Sequence, residues 1–68
     1  EALSHREHQV FRLLIQGQSV TQIGAQLSLA PNTVSTYRAR ILEKMKLKNN
    51  TELTHYAIEH RLVNRLIR

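Results

Sequence analysis

The sequence predicts an all-α domain built from four short helices. Apolar residues recur at intervals of three or four, which is the spacing of one face of an α-helix. Residues typical of helix starts precede these stretches, and the β-branched residues are scattered without the alternation of a strand. A chain of 68 residues is long enough for one domain with one small core. We expect a bundle-like domain with helices at about 5–16, 20–28, 31–45 and 50–60.

The first helix is predicted to begin after Ser4. Ser4 and Glu7 have the spacing of a capping box, in which each side chain accepts a hydrogen bond from the other residue's backbone amide. We interpret Glu7 and Arg6 as a cap and a surface pair, and Gly17 as the left-handed residue that ends the helix. The apolar stripe that follows the cap contains Leu3, Val10, Leu13 and Leu14.

The second helix is predicted to begin near Ser19, with Thr21 as the competing cap. Ser19 and Gln22 form a second, weaker capping box. Gly24 lies in mid-helix, where Gly costs roughly 1 kcal/mol relative to Ala. We interpret it as a point of close approach by a neighbouring helix, or as a tolerated residue. The residues expected to face the core are Ile23 and Leu27.

The third helix is predicted to begin with Pro31. Proline has no amide hydrogen, which is harmless at the first helical position because an amide there has no partner within the helix. One side of this helix is apolar, with Tyr37 at its edge. The opposite side carries small and polar residues and could enter a groove without steric conflict. The apolar side contains Val34, Ile41, Leu42 and Met45, and the polar side contains Asn32, Ser35, Thr36 and Ala39.

The fourth helix is predicted to begin at Asn49, with Glu52 at its N3 position. Its apolar stripe consists of Leu53, Tyr56 and Ala57, and we expect Tyr56 to pack rather than to bind a ligand. Two alternatives remain for its end, since residues 61–68 could extend the helix or form a separate turn.

The charge of the chain favours a polyanionic partner. Ten Lys and Arg residues stand against five Asp and Glu residues, which gives a formal charge of +5. A soluble basic domain is the simpler alternative, but clustering of the charge argues for a phosphate-facing surface. Before residue 38 there are only Arg6 and Arg12, whereas Arg38, Arg40, Lys44, Lys46 and Lys48 lie close together.

Several classes of function are disfavoured by the sequence. The chain has no Cys, which excludes disulfides and thiolate metal sites, and its four His residues lack converging ligands. No Gly-rich phosphate loop, nucleophile elbow or acid pair is present, so we expect neither an enzyme nor a cofactor. No apolar run has membrane-spanning length and no signal peptide is recognisable, so no membrane partner is expected.

A short second helix followed closely by a proline-led helix with basic residues is typical of a helix-turn-helix, which binds duplex DNA. The sequence agrees in order and spacing with a known family over about residues 3 to 63. The agreeing residues are Leu3, Ser4, Arg6, Glu7, Val10, Leu13, Gly17, Ile23, Leu27, Thr33, Val34, Ile41, Lys44, Thr51, Glu52, Leu53, Tyr56 and Ala57. The pattern resembles the LuxR/NarL-type helix-turn-helix, the C-terminal output domain of many two-component response regulators, and residues 35–40 look most like those of virulence and carbon-storage regulators.

The sequence departs from the family pattern at five positions. Ala30 replaces the usual Ser, which should cost about 1 kcal/mol of helix capping. The family has His at Tyr37, Ala at Gly24, and often Gly at Lys46 and Arg61. We therefore expect a left-handed backbone at Lys46 and Arg61, which a residue with a side chain adopts at some cost.

The resemblance implies which residues bind DNA. Helix 3 would insert into the major groove, although an ordinary solvated helix face is the alternative. Thr33 could instead replace the missing cap at Ala30. The base-facing residues would be Ser35, Thr36 and Ala39; the phosphate or flanking residues would be Asn32, Thr33, Tyr37, Arg38, Arg40, Lys44, Lys46 and Lys48.

The resemblance also implies partners. Helix 4 would form a weak homodimer through Leu53, Tyr56 and Ala57. We expect residues 1–68 to be one DNA-binding domain of a cytoplasmic regulator. Because the sequence begins at Glu1 without an initiator Met, we expect it to be a fragment of a longer protein. A receiver domain, or a small-molecule sensor, would precede it. The alternatives are a promoter-recognition region of a sigma factor, or a basic helical module that binds an acidic protein.

Overall fold

The structure is a computed structural model that describes residues 2–60. These residues form four α-helices. They are α1 (His5–Ile15), α2 (Val20–Leu27), α3 (Pro31–Met45) and α4 (Asn50–Glu59), and this range contains no strand. The predicted all-α class and the four predicted helices are confirmed. The expectations for residues 61–68, including the backbone of Arg61, lie outside the described residues.

The core is one apolar cluster to which all four helices contribute. The α3 helix packs against α1 and α2, and α4 packs against α1. Phe11 and Ile15 are buried in this cluster, whereas Leu3 and Leu13 are only partly buried, so the predicted stripe of α1 was misplaced toward its edge. The buried residues are Val10, Phe11, Leu14, Ile15, Ile23, Val34, Ile41, Leu42, Leu53 and Ala57.

Both ends of α1 follow the local rules predicted for them. The Ser4 hydroxyl accepts from the Glu7 amide at 3.2 Å, and the Ser4 amide donates to Glu7 Oε1 at 2.9 Å. At the other end Gly17 has φ +92°, and the Gln18 amide donates to the Leu13 carbonyl at 3.2 Å. This bonding closes the helix in the manner of a Schellman motif, one residue beyond the cap at Gln16.

The start of α2 is capped by Ser19 and not by Thr21. Ser19 and Gln22 form the full capping box, with hydrogen bonds of 2.9 and 3.1 Å. Thr21 lies inside the first helical turn, where its side chain makes no capping bond. The weaker of the two predicted boxes is therefore formed completely.

The turn between α2 and α3 depends on Gly24. Ser28 adopts a left-handed backbone with φ 59°, and the Leu29 amide donates to the Gly24 carbonyl at 2.8 Å. A Cβ at position 24 would lie 2.5 Å from the Leu29 carbonyl oxygen. The predicted close approach exists, but the approaching group is the backbone of the turn and not a neighbouring helix.

The α3 helix begins without a side-chain cap. Ala30 occupies the N-cap and Pro31 the first helical position, as predicted. The amides of Thr33 and Val34 donate to the Ala30 carbonyl, and Thr33 does not replace the missing cap. The helix ends at Met45, and the φ of 59° at its C-cap, Lys46, confirms the predicted left-handed backbone.

The α4 helix begins as predicted. The side-chain oxygen of Asn49 accepts from the Glu52 amide at 3.0 Å. The Glu52 carboxylate in turn accepts from the Lys48 amide at 2.8 Å. The start of α4 is therefore held by Lys48, Asn49 and Glu52 together.

Candidate nucleic-acid interface

The outer side of α3 is polar, small and open to solvent. Thr36 and Ala39 are exposed and Ser35 is half-buried, while Asn32 and Thr33 are exposed at the start of the helix. The opposite side of the helix carries buried residues of the core. The structure thus brings all three predicted base-facing residues onto one accessible surface.

The Thr36 hydroxyl is already engaged within the helix. Its Oγ1 donates to the Asn32 carbonyl at 3.1 Å, one turn earlier. Because this bond uses the single hydroxyl hydrogen, Thr36 can offer a ligand its hydroxyl lone pairs and its methyl group. Acceptance from a base amino group and contact with a thymine methyl are the interactions that remain open to it.

Three exposed cations follow these polar residues along the chain, one in α3 and two after its end. Arg40, Lys46 and Lys48 are exposed, and within residues 2–60 none of them forms an ion pair with a carboxylate. Arg40 and Lys46 share an open cleft with Lys44 and Glu43. None of the three positive charges is therefore matched by a carboxylate partner within the described residues.

Lys44 has a different role from these three cations. Its Nζ lies 2.8 Å from Oε1 of Glu7, whose side chain is only 5% exposed. The bond joins the first turn of α1 to the last turn of α3. Lys44 is therefore a poor candidate for the phosphate ligand that the sequence predicted, since its charge is matched by Glu7. The sequence also predicted that Glu7 forms a surface pair with Arg6. The structure instead buries Glu7 and pairs it with Lys44.

The environment of Glu7 favours its ionised form. The hydrogen bond from Lys44 and then the one from the Ser4 amide lower the pKa of this carboxyl below its usual value. Desolvation acts in the opposite direction but is outweighed. Glu7 thus caps α1 and holds α3 with the same carboxylate, a combination that a capping pattern alone does not reveal.

Two further predicted residues lie at the flank of α3. Tyr37 is half-buried and packs against the core, as expected for the edge of the apolar stripe. Arg38 is also half-buried, and its Nη1 donates to Oδ1 of Asn50 at 3.2 Å. Asn50, the first residue of α4, was not among the predicted site residues. Its partner Arg38 is 12 residues away in the chain, so no local sequence pattern contains both.

The predicted dimer residues of α4 need correction. Leu53 is 2% exposed and Ala57 is fully buried, so both are part of the protomer's own core. Tyr56 is half-buried, with its ring centroid 4.1 Å from that of His60. A shallow apolar groove runs over the outer side of α4 instead, lined by Leu47, Thr51, Glu52, His55, Tyr56 and Glu59.

The described residues bear on two further expectations. No three His, Asp or Glu side chains within residues 2–60 come together in a way that could hold a metal ion. The helices of the same range are all too short or too polar to span a bilayer.

The fold and the polar side of α3 define the class of protein. A short α2 is set against α3 by a tight left-handed turn, and α3 presents small polar residues flanked by cations, which is a helix-turn-helix domain. The family model described as bacterial regulatory proteins of the luxR family matches residues 1–57. The chain belongs to this family, which confirms the resemblance seen in the sequence.

Curated relatives of the chain are regulators that are much longer than it is. Response regulator UvrY of Escherichia coli K12 is 44% identical over 63 residues, which are 93% of this chain and 29% of the relative. Response regulator GacA of Pseudomonas protegens is 42% identical over 64 residues, 94% of the chain and 30% of the relative. The transcriptional regulatory protein UhpA of Salmonella typhimurium is 46% identical over 55 residues, 81% and 28% respectively. The chain thus spans less than a third of each.

Proposed function

We propose that this chain is the duplex-DNA-binding output domain of a bacterial transcriptional regulator, and that α3 enters the major groove. The observation that carries the proposal is the outer side of α3, which is exposed and polar and runs into unpaired cations. Small side chains allow a helix to approach base edges closely, and cations beside it hold the phosphates.

In this proposal Ser35, Thr36 and Ala39 face the bases. Their groups can contact more than one base, and none makes the bidentate contacts of Arg or Asn. Base discrimination is therefore modest, and the shape of the duplex supplies part of the specificity. Asn32 and Thr33 lie in the first turn of α3, where amide, hydroxyl and helix dipole favour a phosphate oxygen.

The phosphate contacts are assigned to the cations without a carboxylate partner. Arg40, Lys46 and Lys48 would each displace counterions on binding, which makes affinity strongly salt-dependent. Arg38 and the Tyr37 hydroxyl extend the same row at the flank of α3. Lys44 is left out because Glu7 already neutralises it.

We propose a weak homodimer through the outer side of α4, so that two half-sites are bound together. The groove beside Tyr56 replaces the predicted contact at Leu53 and Ala57, whose side chains are not accessible to a partner. Leu47 and Tyr56 supply its apolar surface. Substituting Tyr56 with Ala should abolish selection of paired half-sites and leave the single half-site preference intact.

The wider role rests on the relatives. UvrY and GacA are named response regulators and are about three times as long as this chain. We propose that here too a receiver domain elsewhere in a longer cytoplasmic protein controls access of α3 to DNA. Binding of DNA, and not catalysis, is the proposed activity of the domain itself.

The test is selection of bound duplexes from a random pool at about 0.15 M salt. A paired motif supports the dimeric regulator, and a single short motif supports DNA binding while overturning the dimer. No enrichment, with binding that vanishes as salt rises, overturns the proposal in favour of a basic protein-interaction module. Thr36→Ala should alter the selected motif, and Thr21→Ala on α2 is the matched control that should not.

A further inference from the structure

We infer that Asn50 is a positioning residue that holds the Arg38 guanidinium ready for a DNA phosphate at the edge of the major groove. The inference rests on the proposed function and adds to it a residue outside α3. Asn50 Oδ1 accepts from Arg38 Nη1 at 3.2 Å, which links the flank of α3 to the first residue of α4.

Asn50 is not needed to build α4. The helix is capped by Asn49, whose Oδ1 accepts from the Glu52 amide, and the Glu52 carboxylate binds the Lys48 amide. These bonds account for the start of α4 without the side chain of Asn50. Its amide is therefore available to Arg38, and its removal leaves the cap in place.

The position of Arg38 suits a flanking phosphate contact. It follows Ser35 by three residues and precedes Ala39, so it borders the base-facing side of α3. One of its guanidinium N–H groups is used by Asn50, and the remaining N–H groups form a planar fork that fits a phosphate. Orienting a long side chain before binding lowers the entropy lost when the complex forms.

The neutral character of Asn50 distinguishes Arg38 from Lys44. Lys44 is held by the carboxylate of Glu7, which neutralises its charge. Arg38 is held by a neutral amide, which fixes its direction and leaves its charge available. Lys44 therefore stabilises the fold, whereas Arg38 stays available to bind a phosphate. The two roles differ because the partner of Lys44 is charged and the partner of Arg38 is neutral.

The first experiment measures duplex affinity against salt for the whole chain and its variants. Asn50→Ala should weaken binding about threefold to tenfold, the value of one hydrogen bond, with an unchanged salt slope because no charge is removed. Arg38→Ala should also flatten the slope by about 1. In the Arg38→Ala background, Asn50→Ala should have no further effect. Gln26→Ala, which removes an exposed amide in the groove between α1 and α2, is the matched control.

A charged substitution sharpens the test. Asn50→Asp keeps an acceptor for Arg38 and places a negative charge at a helix start, so thermal stability should be kept or raised. DNA binding should nevertheless fall further than in Asn50→Ala, with a flatter salt slope, because Arg38 would be neutralised. An affinity loss from Asn50→Ala that persists in the Arg38→Ala background, or no loss at all, overturns the inference.

A second measurement, on the protein without DNA, separates this inference from the proposed function. The NMR order parameter of the Arg38 Nε–Hε bond should fall in Asn50→Ala and stay unchanged in Gln26→Ala. Equal mobility of Arg38 in the wild type and Asn50→Ala overturns the positioning role, whatever the DNA results. A wild-type chain that orders Arg38 but selects no duplex overturns only the proposed function and the phosphate assignment.

Discussion

The two ends of α3 are built in opposite ways. Its first turn has Ala30 at the cap position without a side-chain bond, and Asn32 and Thr33 are exposed there. Its last turns bury Ile41 and Leu42 and are tied to α1 through Lys44. The C-terminal end of α3 is therefore anchored by core packing and by an ion pair. At the N-terminal end Val34 is buried in the core, but the first turn has no side-chain bond and leaves Asn32 and Thr33 open to a ligand.

The comparison shows that neighbouring cations on one helix can have different roles. Arg40 is exposed and unpaired within residues 2–60, whereas Lys44, one turn later, is matched by a buried carboxylate. Both belong to the same cluster of positive charge in the sequence. Their partners in the fold, and not their place in that cluster, decide which of them is available to phosphate.

The largest effect is expected from the anchored end. Ile41 is fully buried, so Ile41→Ala should lower the free energy of unfolding by about 2–5 kcal/mol through lost transfer energy and a cavity. Thr36→Ala on the open side should change it by less than about 0.5 kcal/mol. Urea unfolding of both variants measures the two free energies of unfolding. Similar losses of stability in both would contradict the burial of the Ile41 side of α3 and the exposure of the Thr36 side.

The Glu7–Lys44 contact predicts a specific pH dependence. The pKa of Glu7 is lowered in the folded state, so its contribution to stability is present above the ordinary value of 4.5 and is lost as pH falls through the folded value. Wild type should lose stability in that acid range, and Glu7→Gln should show a smaller dependence.

Lys44→Met extends the same test to DNA binding. It should destabilise the domain near neutral pH while leaving the salt slope of binding unchanged, unlike Arg40→Ala, which should flatten the slope by about 0.9. Thermal unfolding and binding titrations at several salt concentrations measure the two effects. A flatter slope for Lys44→Met would return Lys44 to the phosphate-binding set.

A smaller effect is expected at the left-handed end of α3. Lys46 has φ 59°, so Lys46→Gly should stabilise the domain by about 1 kcal/mol through relief of backbone strain. The same change removes a proposed phosphate contact and should weaken DNA binding. Lys46→Ala removes the charge but keeps the strain, so it should weaken binding without the gain in melting temperature. Equal melting temperatures for the two variants would argue against strain at this residue.

The smallest effect is expected at the open end. Ala30→Ser would supply the missing cap to the first turn of α3 and should stabilise the domain by about 0.5–1 kcal/mol. Differential scanning calorimetry against wild type measures the gain. Ala30→Val, which offers no acceptor, is the control, and a gain of the same size in that variant would exclude capping as the cause.

The sequence predicts the ends of the helices well because their signals are local. Ser4, Ser19 and Asn49 each bond to an amide three residues away, so the residue pattern contains both partners of the bond. Pro31 and Gly17 act through their own backbone preferences. Such features do not depend on how the helices pack.

Contacts between helices are not visible in such local patterns. Lys44 and Glu7 are 37 residues apart, and nothing near either residue distinguishes this pair from a solvated one. The stripe of Leu53 and Ala57 showed that α4 buries one side, but the same stripe fits a core or a partner surface. Only the packing of α4 on α1 settles which of the two it is.

The turn between α2 and α3 has a thermodynamic consequence. Gly24 lets the Leu29 carbonyl lie against α2, and the Leu29 amide closes the turn on the Gly24 carbonyl. A recognition helix that is already ordered by such a turn gains little new structure when it meets a duplex. The heat-capacity change of association should therefore match the apolar area covered at the contact, without the larger decrease that accompanies folding on binding.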